Sequence, residues 1–95
     1  MRVQLAGKVL GVSFRSQAHR FATRLDIKGY ITSLPSRDIV IMAEGERENL
    51  EAFVRWLKAG PKNAEIERFE MEWLPYTGEH DRFTISFWEE AGEQS

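Results

Sequence analysis

Lys8 to Gln17 reads KVLGVSFRSQ: a glycine, a run of small or apolar residues and one arginine. It lies between a segment with strand alternation and one with helical spacing. Those residue types suit an oxyanion. Gly11 lets the backbone fold tightly around a ligand with no Cβ in the way. A helix beginning near Ser16 would offer unpaired N–H groups and the positive end of its dipole. Arg15 adds a planar fork that matches two phosphate oxygens and keeps its charge. A cation at a helix start is misplaced by itself, since it belongs at the C-terminal end. A bound anion resolves that conflict, so a phosphate or sulfate is expected there.

Other chemistries are less well provided for. Ser13 and Ser16 have no histidine–carboxylate pair at a spacing that would activate a nucleophile. His19, one turn into the first helix, could face the edge of an anion. The run Glu79-His80-Asp81 sits in a polar loop, and consecutive loop residues rarely converge on one metal ion. There is no cysteine, which excludes disulfides, thiolate zinc sites and cysteine nucleophiles.

The elements that must position these residues follow from periodicity. Val3, Leu5, Gly7 and Val9 alternate with Gln4, Ala6 and Lys8, the pattern of a half-buried strand. Ala18, Phe21, Ala22 and Leu25 fall on one face of a helix, and Gly29 is its stop or the turn beyond it. YITSL and IVIMAE read as strands joined by the turn PSRD. Leu50, Phe53, Val54 and Leu57 stripe a second helix, which Gly60-Pro61 ends. A strand from about Ala64 to Trp73 changes phase near Arg68, as at a bulge. LPYTGEHD is a loop, and Phe83, Ile85 and Phe87 alternate inward on a last strand. Trp56, Trp73 and Trp88 fit core or edge packing. The order is β-α-β-β-α-β with one extra strand: an α+β, ferredoxin-like antiparallel sheet with both helices on one face.

Ninety-five residues, 42% of them apolar and 29% charged, make a single domain over 1–95, with 89–95 expected to fray. The formal net charge of −2 argues against a non-specific nucleic-acid binder. An RNA-recognition domain shares the strand–helix order, but GYITSL lacks its aromatic and basic signature. The opening MRVQLAGKVLGV is neither signal peptide nor membrane span. A cytoplasmic monomer with no membrane association is expected.

GKVLGVSFR is similar to the signature of the acylphosphatases, V-x-G-V-x-F-R, matched here by Val9, Gly11, Val12, Phe14 and Arg15. The similarity continues in GYITSLP, AEGERENLEAFVRWLKAGP and AEIERFEMEW, from about residue 3 to residue 87. It implies that the Arg15 guanidinium and the backbone N–H groups of Gly11, Val12, Ser13, Phe14 and Arg15 hold the phosphate of a small acyl phosphate. It also implies an asparagine that orients the attacking water, and neither metal nor cofactor.

Here the chain departs from the family pattern. Where the family reads G-W-V-x-N, this sequence reads Gly29-Tyr30-Ile31-Thr32-Ser33, and Ser33 takes the asparagine's place. The only asparagines, Asn49 and Asn63, lie on the second helix and after it. A hydroxyl reaches less far than a carboxamide. Losing a preorganised donor of this kind costs about 2.7–4 kcal/mol, or roughly 10²–10³ in rate. The resemblance, with this departure, therefore implies an acyl-phosphate hydrolase of reduced activity. The alternative is a non-catalytic anion-binding or interaction module that keeps Arg15 and has lost the water site.

Overall fold

The computed structural model describes residues 1–8, 12–61 and 64–86, with the Val12 side chain left out. Val9, Leu10, Gly11, Asn63, Phe87, Trp88 and the tail from 89 lie outside the described residues. The elements are β1 (Arg2–Lys8), α1 (Val12–Arg24), β2 (Lys28–Ser33), β3 (Ile39–Glu44), α2 (Arg47–Ala59), β4 (Glu65–Glu72) and β5 (Phe83–Ile85). The strands form one sheet in the order β4-β1-β3-β2-β5. This is the ferredoxin-like fold that the periodicity predicts, with the extra strand at the β2 edge.

The sheet is mixed, where the sequence suggests an antiparallel one. β5 runs parallel to β2, Gly29 opposite Phe83 and Ile31 opposite Ile85. The direction follows from where the connection crosses. β4 ends where Glu72 pairs with Arg2, and β5 starts at that same end of the sheet. A chain that leaves one edge and re-enters at the other on the same end must run with β2.

Strand alternation is borne out at the core. Val3, Leu5, Ile31, Ile39 and Ile41 are wholly buried under the helices. On α2 the buried residues are Leu50, Phe53 and Leu57, while Val54 is half-buried. Gly60 closes that helix at φ 75°, donating its N–H to the Trp56 carbonyl at 2.9 Å. The phase change of β4 is a bulge at Glu67: Ala6 pairs with Arg68, and the next β1 residue, Gly7, with Ile66. Trp56 packs among Phe14, Phe21 and Phe53. Trp73 is exposed instead, with the Arg47 guanidinium 3.8 Å above its ring.

Two boundaries of α1 differ from expectation. The helix starts at Val12 rather than near Ser16, because Phe14 is buried and extends the Ala18, Ala22 stripe back by one turn. Its stop is Asp26, not Gly29. Asp26 adopts φ 59°, its N–H bonds to the Thr23 carbonyl at 3.1 Å, and Ile27 N–H bonds to Ala22 at 2.9 Å. That is the paired bonding of a Schellman end, usually made by glycine. Gly29 lies within β2 at φ 139°, where a Cβ would sit 1.9 Å from the Met42 carbonyl oxygen.

Asp26→Gly should therefore stabilise the protein by roughly 0.5–1 kcal/mol, by relieving a left-handed L-residue. The lost Asp26–Lys28 pair is exposed, at 2.9 Å, and such pairs contribute little. Thermal unfolding of the variant is the check.

The connection from β4 to β5 is tied down midway. The Glu44 carboxylate accepts hydrogen bonds from the Thr77 N–H and hydroxyl, both at 2.8 Å, and from Gly78 N–H at 3.0 Å. Slight desolvation pushes this carboxyl up. The bonds from Thr77 and Gly78 and the charge of His80 pull it down further, and it ionises below the usual carboxylate range. A lowered folded-state pKa means that the hold is complete above the ordinary glutamate value. It is lost as pH falls through the lowered value. Amide shifts of Thr77 and Gly78 should titrate with a midpoint below that of an exposed glutamate, and Glu44→Gln should remove the transition.

Candidate active site

With α1 beginning at Val12, the stretch expected to be a loop is in part a first helical turn. The N–H groups of Val12, Ser13 and Phe14 fall where a helix supplies no carbonyl partner. The turn contains no acidic residue to meet the dipole. Phe14 sends its ring into the core, stacked on Trp56 with centroids 5.8 Å apart, so only its backbone faces the turn. The Ser13 hydroxyl accepts from Gln17 Nε2 at 3.1 Å along the outer face of the helix.

Arg15 turns the other way. Its Nη1 donates to Ser33 Oγ at 2.7 Å, joining the first turn of α1 to the last residue of β2. The bond is short, as bonds from a cationic donor are. Ser33 pairs with Ile39 and follows Ile31 by two, which sets it on the helix-covered side of the sheet. Among the described residues no carboxylate forms an ion pair with Arg15. The two side chains singled out in the sequence are thus neighbours, 18 residues apart in the chain.

The β2–β3 turn fixes the Ser33 end. Leu34 N–H bonds to the Asp38 carbonyl and Arg37 N–H to the Leu34 carbonyl, each at 2.8 Å. The Asp38 side chain, mostly buried, accepts from Gln4 Nε2 at 2.8 Å and is ion-paired with Arg68 Nη2. The turn is thereby moored to β1 and β4. The sequence reading gives PSRD only as the turn between two strands, and this anchor is missed. The signal available was an aspartate opening an apolar strand.

Other residues prove to be elsewhere. Asn49 donates to the Leu25 carbonyl at 3.2 Å, at the far end of α1 and about 15 Å of helix rise from Arg15. His19 lies against Phe83, ring centroids 6.2 Å apart, and His80 against Tyr30 at 5.9 Å. Among the described residues no group of three potential ligands could hold a metal ion. A cavity of 240 Å³ lined by Met42, Glu44, Leu74, Thr77 and His80 lies at the opposite end of β3 from Ser33. No helix among the described residues is long and apolar enough to cross a membrane. Gly11, the residue expected to open the cradle, is outside the described residues.

An arginine with no ion-paired acid among the described residues, at the start of a helix and against the end of β2, is an arrangement that can receive an anion. The acylphosphatase family model matches residues 1–85. The chain belongs to the acylphosphatase family. An acylphosphatase of Anaeromyxobacter dehalogenans is 38% identical over 86 residues, which cover 90% of this chain and 92% of that one. One from Pelotomaculum thermopropionicum is 40% identical over 85 residues, with the same coverage. The crystal structure of acylphosphatase from Bacillus subtilis superposes with a TM-score of 0.83 at 26% identity, covering 90% of this chain and 94% of that one. Family and homologues together support acyl phosphate hydrolysis, the chemistry of a hydrolase acting on acid anhydrides.

Proposed function

We propose that this acylphosphatase-family chain binds the phosphoryl group of a small acyl phosphate at the start of α1 and hydrolyses its carboxylic–phosphoric anhydride. The observation that carries the reading is the Arg15 guanidinium, without an ion-pair partner among the described residues and held to Ser33 at 2.7 Å. Arg15 takes two phosphate oxygens in its fork. The N–H groups of Gly11, Val12, Ser13, Phe14 and Arg15 supply further donors, as the family pattern implies. Water bonds to phosphorus while the bond from phosphorus to the acyl oxygen breaks. The products are carboxylate and phosphate, and the water protons pass to phosphate oxygen and solvent. A carboxylate leaves readily as an anion near neutral pH, since its conjugate acid has a pKa of about 4. The step therefore asks for charge stabilisation and orientation rather than a general acid, which is what an arginine and backbone donors offer.

A second reading is favoured by the same bond. Ser33 Oγ is engaged by Arg15, and the family pattern puts an asparagine at this position to orient water. An anion-binding module with little or no turnover would have these features. Hydrolysis of a simple acyl phosphate by wild type and Ser33→Asn separates the two. Turnover in wild type supports the enzyme. Silence in wild type with activity gained in Ser33→Asn supports the module. We expect measurable wild-type turnover that rises about 10²-fold in Ser33→Asn, the scale of one preorganised donor.

A further inference from the structure

We infer that Ser33 is a phosphate-binding and arginine-positioning residue, not a holder of the attacking water; this rests on the proposed phosphate site at Arg15. A serine hydroxyl has one proton and two lone pairs, and a guanidinium has donors only. Nη1 of Arg15, 2.7 Å from Oγ, must therefore occupy a lone pair, and the hydroxyl proton must point elsewhere. Among the described residues no acceptor takes that proton from Ser33. The oxygen stands on the helix-covered side at the end of β2, against the guanidinium that grips the ligand. A phosphate oxygen bound to the remaining donors of Arg15 is the acceptor the proton lacks.

The pair then works as one unit. Ser33 fixes the rotation of the guanidinium before the ligand arrives, which lowers the ordering cost of binding. The moored turn after it, with Asp38 held by Gln4 and Arg68, keeps Oγ in place. Its own proton adds a donor aimed at the same anion, and the polarisation by Arg15 strengthens that donor. The side chain that would hold water in the family pattern is used here to complete the grip on phosphate.

The inference is tested by titrating inorganic phosphate calorimetrically into the wild type, Ser33→Ala, Ser33→Thr, Arg15→Ala and the Ser33→Ala/Arg15→Ala double variant. Acyl phosphate kinetics accompany the titrations. Ser33→Ala should weaken phosphate binding at least about tenfold, the scale of a hydrogen bond to a charged group. It should raise KM with kcat little changed, the mark of lost ground-state binding. Ser33→Thr should restore affinity to within about threefold, because it keeps the hydroxyl. In the Arg15→Ala background the Ser33 effect should shrink, since contacting residues are coupled. Phosphate affinity unchanged in Ser33→Ala, with kcat reduced at constant KM, would return Ser33 to the water and overturn the inference. Phosphate that fails to bind the wild type would instead overturn the site reading on which it rests.

Discussion

Arg15→Ala should weaken phosphate binding and lower acyl phosphate turnover, each by at least about 10²-fold, the scale of one preorganised oxyanion donor. Among the described residues Arg15 is the side chain whose hydrogen bond joins the first turn of α1 to the end of β2. With a net charge of −2, the protein has no general positive field to draw an anion in its place. The backbone N–H groups of Val12 to Phe14 remain in the variant, but they are partial charges without a fork. Arg15→Lys should fall between, keeping the charge and losing the bidentate geometry. The substitution touches no core residue, so melting should move little, and lost activity with an intact fold would be a loss of chemistry. Unchanged hydrolysis in Arg15→Ala would place the active site elsewhere on the molecule.

Phe53→Ala should destabilise the protein by about 3–5 kcal/mol, the range for removing a wholly buried aromatic ring. Domains of this size are worth about 5–15 kcal/mol in total. Each kcal/mol corresponds to about 4–8 °C, so melting should fall by roughly 12–40 °C. The reason for the size is what the ring joins. Its centroid lies 6.1 Å from Phe21 on α1, 6.5 Å from Trp56 on its own helix and 5.9 Å from Phe83 on β5. Removing it loosens α2, the extra edge strand and the helix that carries Arg15 together. Circular dichroism melts give the number. A loss under about 1 kcal/mol would show that the aromatic cluster is not where the core stability resides.

The fold was legible wherever one period dominated. Val3 and Leu5, the Leu50–Phe53–Leu57 stripe and the slip at Glu67 are local patterns, and local patterns are what a sequence displays. The start of α1 was harder, because Val12 and Phe14 alternate like strand residues and only burial of Phe14 decides the matter. The direction of β5 depends on which end of the sheet its connection crosses, a fact carried by pairings rather than by composition. At the candidate site, Arg15 is singled out by residue type, helix position and the family resemblance, and Ser33 by the resemblance alone. Their contact spans 18 residues, and no spacing rule reports it. Asp38 and Glu44 escaped for the same reason, since a carboxylate's value here lies in distant donors: Gln4 and Arg68 for one, Thr77 and Gly78 for the other.

The strand order has a consequence for how the chain is made. β1 lies between β3 and β4, so Val3 meets Ile41 on one side and Met71 on the other. At about 5–20 residues per second on the ribosome, β1 waits about 3–14 s for its second partner to be synthesised. Both of its pairings close long loops, the kind of contact that slows folding. Val3 and Leu5, wholly buried at the end, are synthesised well before the residues of β3 and β4 that they pair with. The charged and polar residues between and beside them, Arg2, Gln4 and Lys8, keep that early strand from being a continuous sticky run while it waits.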